Sequence, residues 1–323
     1  MFRFTTEVKG IAIDLDSFNE TTMDSWDELI TNFDCLFITS NKKRKEDMEH
    51  TYGVKILFID EFIRNFVPNP EMQFNVLHML GIKESELAYL SADSKFIANA
   101  LHFYSCVIYV TSNVLVYEEN PVLPDLICRS IAQVNEFLKG KIVNYLGEEF
   151  FSQDDEKPSV AAVPFFQIEC DGEEMFLLCL GRYYGNKTYM RHQHPFSRIV
   201  YLNKKKGKAF RIFDEKFASL LQAVVNTYLK DSNDCVCSVP PRGDGINRFD
   251  IIVEKVAENS GLENISDKFI TKKDYPTQKS LSFAARIENV KDAFSFEGNL
   301  NGKRVLLIDD IITTGTTLRE CAK

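Results

Sequence analysis

The stretch Val305-Leu306-Leu307-Ile308-Asp309-Asp310-Ile311-Ile312-Thr313-Thr314-Gly315-Thr316-Thr317 decides how this chain is read. Its branched apolar run, Val305 to Ile308, reads as a strand buried on both faces, the mark of a parallel sheet. Two adjacent carboxylates follow, then a threonine loop around one glycine, then Leu318-Arg319-Glu320-Cys321-Ala322, which starts a helix. Strand, acidic pair, small-residue loop and helix N-terminus together present backbone N–H groups and hydroxyls to an incoming phosphate. The two carboxylates stand where sugar hydroxyls, or a metal–sugar complex, would be held.

Working back from this stretch, Asp234 to Gly245 is a strand running into a Pro/Gly-rich loop that carries Arg242. A helix over Asn247 to Ser260 follows, with Phe249, Ile252, Val253 and Val256 on one face. After a short strand over Ile265 to Ile270 comes a polar, basic segment from Thr271 to Ser280. The opening stretch resembles the PRPP-binding motif of type I phosphoribosyltransferases. Gln278, Arg286, Asn289, Ala293-Phe294 and Gly302-Lys303 are similar to the ComF family of competence-associated, amidophosphoribosyltransferase-like proteins, from about Phe196 to Lys323.

The resemblance implies a division of roles. Asp309 and Asp310 hold the ribose hydroxyls and stabilise an oxocarbenium-like sugar. Thr313, Thr314, Gly315, Thr316 and Thr317 cradle the 5-phosphate. Arg242, with Lys272 or Lys273, clamps pyrophosphate together with Mg2+, and the segment from Thr271 closes over it to exclude water. The zinc-binding cysteines usual at the N-terminus of the family are not seen. Family members also continue beyond the helix begun at Leu318, whereas this sequence stops at Lys323. An exposed sheet edge there leads to an expectation of a homodimer or of partner binding.

The first half alternates short apolar runs with helical stretches: Gly10 to Phe18, Asp34 to Asn41, Val54 to Ile59, Leu87 to Asp93 and Cys106 to Thr111 as strands, with helices between them. That order argues for a parallel three-layer α/β domain. Its strand-end residues resemble the haloacid dehalogenase (HAD) superfamily. The resemblance implies Asp14 as nucleophile, Asp16 as acid/base, Thr39 or Ser40 as the hydroxyl of the second motif, and Asp14 with Asp93 on Mg2+ if the site is active. The sequence also departs from the pattern. Ser17-Phe18 follows Asp16, Asn69 stands where a lysine is expected before Pro70, and Lys95-Phe96-Ile97 replaces the second acid after Asp93. A catalytically degenerate HAD-like domain is therefore expected, since phosphoryl transfer depends on that charge compensation.

Between the halves, Pro121 to Asp125 closes the α/β section and Leu126 to Leu138 reads as a helix. Gly147 to Pro158 is charged enough for a linker. Cys170-Asp171-Gly172-Glu173-Glu174, between two apolar runs, is a hairpin signal. The aromatic, basic stretch from Tyr183 to Pro195 holds His192 and His194 and reads as a surface or substrate-covering loop. Lys204-Lys205-Lys206-Gly207-Lys208 is a small basic patch, and Phe213 to Leu229 an amphipathic helix.

The expected architecture is thus α/β throughout. A HAD-like Rossmannoid parallel sheet occupies 1–140, a linker 141–160, a hood of hairpin and helix 161–232, and a type I phosphoribosyltransferase core 233–323. The chain has 323 residues, 45% hydrophobic and 26% charged, with a net charge of −9. That balance gives no indication of a nucleic-acid partner. No uncharged run of about 18 residues or more is present to span a bilayer, and a cytoplasmic location is expected. Eight scattered cysteines read as buried thiols rather than a disulfide framework. The expected ligand is PRPP or a nucleotide with Mg2+. Phosphoribosyl transfer, non-catalytic PRPP or nucleotide binding in a regulatory role, and a weak HAD-type phosphatase stay open as activities.

Overall fold

The computed structural model describes residues 8–19, 26–64, 68–103, 105–120, 123–138, 143–151, 160–185, 190–204, 213–243, 245, 247–273, 275–276 and 281–323. The chain divides into two compact units, Met1–Gln167 with Phe176–Gly181, and Ile168–Met175 with Arg182–Lys323. Both are built on parallel sheets. Among the described residues no helix is long and apolar enough to cross a membrane.

The first unit follows the alternation of its sequence. β1 (Gly10–Asp14), α1 (Asp27–Asn32), β2 (Asp34–Thr39), α2 (Lys42–Tyr52), β3 (Lys55–Phe58), α3 (Glu61–Arg64), α4 (Pro70–Leu80), β4 (Leu87–Ser91), α5 (Ser94–His102) and β5 (Cys106–Val110) succeed one another. A two-residue strand β6 (Leu115–Val116) precedes β7 (Leu126–Cys128) and α6 (Ile131–Leu138). The main sheet has the order β3-β2-β1-β4-β5-β7, and every pair in it is parallel. β1, β2, β4 and β5 are buried almost throughout, as strands covered on both faces must be. The only tryptophan, Trp26, is fully buried in this core, edge-on to Phe18 at 5.1 Å and Phe37 at 5.9 Å between ring centroids.

Local chemistry sets the helix ends. The Asn41 side chain accepts from Lys43 N and Arg44 N to start α2, and Gly53 closes that helix at φ 61°, a left-handed position that suits glycine. Asn69 caps α4 by accepting from Met72 N at 2.9 Å, with Pro70 in the first turn.

Two segments depart from the sequence reading. Leu126-Ile127-Cys128 is not helical but adds the sixth strand, pairing with Ile108 to Val110, because an open parallel edge satisfies its backbone better than a helix start would. The segment read as a linker carries β8 (Val143–Tyr145), α7 (Leu146–Phe150) and β9 (Val160–Ala162), with β8 and β9 paired in parallel. Tyr145 and Phe151 are buried there, and the Tyr145 hydroxyl donates to the Pro124 carbonyl at 2.8 Å. Residues 152–159 lie outside the described ones.

The hairpin forms as read: β10 (Phe165–Cys170) and β11 (Glu173–Leu178) flank Asp171 at φ 50° and Gly172 at φ 85°. Two consecutive positive φ values make the turn that matches the twist of a hairpin. The short helix α8 (Met190–Gln193) precedes α9 (Pro195–Asn203). His194 is the buried N-cap of α9, its ring nitrogen Nδ1 2.7 Å from Ser197 Oγ, rather than part of a surface loop.

In the second unit, α10 (Asp214–Tyr228) and α11 (Asp250–Ser260) cover one face of a three-stranded sheet. β12 (Cys235–Ser238) runs down its centre, between β13 (Glu263–Asn264) and β16 (Val305–Ile308), both parallel to it. An antiparallel pair, β14 (Phe269–Thr271) with β15 (Phe294–Phe296), and the helices α12 (Phe283–Val290) and α13 (Thr316–Ala322) complete the unit. β12 alternates as its sequence suggests: Cys235 and Cys237 pack with Ile265, while Val236 faces the helices. The strand that opens the sequence reading is less buried than expected. Val305 is exposed, Leu306 and Leu307 are half-buried, and only Ile308 is buried, because β16 is a sheet edge paired with β12 alone among the described residues.

Candidate functional site

Both units place polar side chains at the carboxyl ends of parallel strands, where open α/β sheets form their crevices. In the first unit the chain order reverses at β1, which has β2 on one side and β4 on the other. The ends of those three strands deliver Asp14 and Asp16, Thr39 and Ser40, and Ser91 and Asp93 to one place.

Asp14 is fully buried there. Its Oδ1 accepts from Arg64 Nε at 3.0 Å and Nη2 at 2.8 Å, and its Oδ2 accepts from Arg64 Nη2 at 2.7 Å and Ser91 Oγ at 2.6 Å. Arg64 Nη2 also donates to Asp93 Oδ2 at 3.2 Å, and Nε lies 4.0 Å from Asp16 Oδ2. Asp16 accepts from Thr39 Oγ1 and, on Oδ2, from both Ser40 N and Ser40 Oγ at 2.7 Å. Asp93 caps α5 by accepting from Lys95 N at 2.8 Å. Burial pushes the Asp14 carboxyl up, against the opposing pull of Arg64 and Ser91. Burial also acts to raise Asp16, but the hydrogen bonds of Thr39 and Ser40 and the Arg64 charge hold it below its ordinary value.

The residues expected to gather here do gather, but the cation among them is Arg64, which the sequence reading did not single out. It sits at the end of α3, ahead of the position searched for a lysine. Asn69 is instead the α4 cap, and its Nδ2 donates to the Ile63 carbonyl at 2.6 Å, tying down the residue before Arg64. Phe96, in place of the missing second acid, turns its ring to the guanidinium, with Arg64 Cζ 5.7 Å from the ring centroid. No group of three or more His, Cys, Asp or Glu side chains among the described residues is disposed to hold a metal ion. The expectation of Mg2+ on Asp14 and Asp93 meets a guanidinium at those oxygens, and the arrangement does not fit that ion.

The second unit gathers a different set. Asp309 and Asp310 follow β16, and the backbone N–H of Asp310 donates to Asp309 Oδ1 at 2.8 Å. Burial, then the neighbouring Asp310 charge, raises the Asp309 carboxyl to about 7. Asp310 is held by two cations: Arg248 Nη1 is 2.5 Å from its Oδ2, and Lys204 Nζ is 3.1 Å from Oδ1 and 3.0 Å from Oδ2. Thr313 accepts from Arg286 Nη1 at 3.2 Å, and the hydroxyls of Thr314 and Thr316 are 3.1 Å apart. Thr316 and Thr317 lie in the first turn of α13 rather than in the loop before it. Gly315 caps that helix at φ 72°, and a Cβ there would meet Ile168 Cδ1 at 3.0 Å and Arg319 Nη1 at 3.1 Å. Arg319 bridges the loop and the hairpin, donating from Nη1 to the Thr314 carbonyl at 2.8 Å and from Nε to the Glu169 carbonyl at 2.9 Å.

The remaining expected residues lie around this group. Arg242 is exposed in the loop after β12, its Cζ 5.8 Å from the ring centroid of buried Tyr275. Thr271 secures that loop by donating to the Pro241 carbonyl at 2.8 Å. Lys272 is exposed, its backbone N–H bonded to the Ala293 carbonyl, and Lys273 Nζ reaches the Lys291 carbonyl at 3.4 Å. Gln278 of the expected closing loop lies outside the described residues, as do Lys205, Lys206 and Lys208 of the basic patch. Asn247 stays outside α11 because its side chain bonds both Ser238 Oγ and Phe249 N, and the helix starts three residues later than the apolar pattern suggests. The turn brings Arg248 to Asp310. Lys204 was visible only as part of a basic patch, and Arg248 had no signal, since neither lies near Asp310 in sequence.

Comparison with known proteins finds its matches in the second unit. Residues 211–323 match the phosphoribosyl transferase domain family. Over 82 residues the chain is 35% identical to Competence protein F of Haemophilus influenzae, which is 24% of this chain and 36% of that protein. Over 79 residues it is 32% identical to DNA utilization protein YhgH of Salmonella typhi and 29% identical to YhgH of Escherichia coli K12, in each case 24% of this chain and 35% of the relative. The matched stretch thus spans about a third of the length of these relatives. The C-terminal part of the chain is thus similar to phosphoribosyl transferase domains, and within them to Competence protein F and YhgH.

Proposed function

We propose that the second unit binds PRPP with Mg2+ and transfers its 5-phosphoribosyl group to an acceptor, releasing pyrophosphate. The observation that carries this reading is the convergence of Arg248, Lys204, Arg286 and Arg319 on the segment from Asp310 to Thr314, in a chain whose net charge is −9. A cationic rim around an acidic pair suits a ligand that is a polyanion at its phosphates and a polyol at its sugar.

The ribose hydroxyls would donate to Asp309 and Asp310. The 5-phosphate would take the Thr313–Thr317 hydroxyls and the N–H groups of the first turn of α13. Arg242, Lys272 and Lys273 are the cations proposed for the pyrophosphate. Mg2+, a hard cation that prefers oxygen ligands, would arrive with the pyrophosphate and has the Asp309–Asp310 carboxylates at hand. As the bond from C1 to pyrophosphate breaks, positive charge develops on the sugar, and the half-buried carboxylates would stabilise it without any side-chain nucleophile.

A second reading, binding without turnover, is favoured by the two cations already on Asp310, since a sugar hydroxyl competes with them for that carboxylate. Calorimetry with PRPP and Mg2+, followed by pyrophosphate release across a panel of nucleobases and amines, separates the two. Binding with release supports transfer, and Asp309→Asn with Asp310→Asn should abolish it. Binding without release supports the regulatory reading, and no binding removes both. The first unit we read as a HAD-like domain on its sheet order and strand-end residues, with phosphatase activity the remaining alternative. Hydrolysis of p-nitrophenyl phosphate that disappears in Asp14→Asn would establish that alternative.

A further inference from the structure

We infer that Arg64 is the resident cation of the first unit's carboxylate crevice, occupying the electrostatic position of a divalent metal, so that this crevice takes none. A carboxylate offers about four lone-pair sites. Asp14 has four contacts on its two oxygens, three from the Arg64 fork and one from Ser91. Nothing remains on it for a metal. Asp16 already accepts three hydrogen bonds from Thr39 and Ser40, and each Asp93 oxygen has one donor, Lys95 N on one and Arg64 on the other, so the lone pairs left over are split between two carboxylates rather than gathered on one.

The other side of the guanidinium points the same way. Mg2+ requires oxygen ligands at about 2.0–2.1 Å in near-octahedral order and keeps several waters. Here the cation faces the Phe96 ring, which attracts a weakly hydrated guanidinium and offers no ligand to a hydrated ion. The planar fork also matches a carboxylate edge in a way no ammonium does. Arg64 is itself buried, so its charge is only weakly screened where the three carboxylates meet. Removing one partner of such a pair leaves a buried charge uncompensated, which is among the most disruptive single changes.

The test uses the full chain and its one tryptophan. Trp26 is buried in the first unit's core beside Phe18 and Phe37, so its emission reports unfolding of that unit. The midpoint of thermal unfolding should be the same in magnesium chloride, in EDTA and in sodium chloride of matched ionic strength. In Arg64→Ala the midpoint should fall by about 10 °C, and magnesium chloride should recover part of the loss where sodium chloride does not. Should Arg64→Ala fail to fold, Arg64→Lys supplies the answer: a point charge without the fork should give a lower midpoint that is still indifferent to magnesium. A parent midpoint that rises with magnesium, an Arg64→Ala chain indifferent to it, or an Arg64→Lys chain stabilised by it would each overturn the assignment. Pyrophosphate release reports the second unit separately, so failure here leaves the phosphoribosyl reading standing.

Discussion

Asp309 and Asp310 are neighbours with different surroundings: one carboxyl is desolvated beside its neighbour's charge, the other is gripped by Arg248 and Lys204. Because Asp309 has its folded value near 7 against an ordinary value near 3.8, it keeps its proton in the folded chain across the window where the unfolded chain has lost it. The unfolded state then binds fewer protons, so stability declines as pH rises through that window, by at most about 1.4 kcal/mol per unit, and levels off above it. Urea midpoints of the second unit between pH 4 and 8, followed by far-ultraviolet circular dichroism, should show this slope in the parent chain and lose it in Asp309→Asn. Gly315 gives a second residue-scale expectation. Gly315→Ala forces a Cβ into a left-handed position and toward Ile168 and Arg319, so stability should fall by about 1–2 kcal/mol in the same measurement. At this scale the sequence showed the acids and threonines, whose order carries their chemistry. It could not show Arg64, Arg248 or Lys204, because a cation that meets its carboxylate across 50, 62 or 106 positions leaves no local pattern.

At the scale of elements, the strands that alternate with helices were legible and the exceptions have local causes. Leu126–Cys128 has a helix-compatible composition, yet an available parallel edge outweighs propensity. β16 reads as buried from its branched residues, but burial depends on what lies alongside, and among the described residues this strand has one neighbour. The hairpin was readable from Asp171-Gly172 because two consecutive left-handed residues admit few other pairs. Its packing was not readable: the residues before the turn support the threonine loop through Arg319, which joins Glu169 to Thr314, and through the Cys170 thiol, which donates to the Arg319 carbonyl at 3.2 Å. Arg319→Met keeps much of the stem and removes both guanidinium bonds. Charged hydrogen bonds of this kind contribute about 1.5–3 kcal/mol, so PRPP affinity by calorimetry should weaken about 10-fold or more. Unchanged affinity would mean that the loop holds its shape without the hairpin.

For the whole molecule, the two crevices illustrate two ways of compensating carboxylates at the ends of parallel strands. The first closes the account internally, with an arginine whose fork fills the acceptor sites of Asp14. The second leaves its acids beside several cations and a small-residue loop, an arrangement that a phosphorylated sugar with its own metal would complete on the proposed function. Dependence on divalent cation should therefore enter this protein only through the second ligand. Magnesium alone should leave the unfolding midpoints of the full chain unchanged, whether followed by Trp26 emission or by circular dichroism. Magnesium with PRPP should raise the circular-dichroism midpoint, since a ligand at 100 times its dissociation constant adds about 2.7 kcal/mol to the state that binds it. PRPP in EDTA should give a smaller rise, because the pyrophosphate then meets the acidic pair without its counter-ion. A rise with magnesium alone, seen by Trp26, would locate a metal in the first crevice and break the distinction. A full rise with PRPP in EDTA would show that Arg242, Lys272 and Lys273 suffice to neutralise the pyrophosphate.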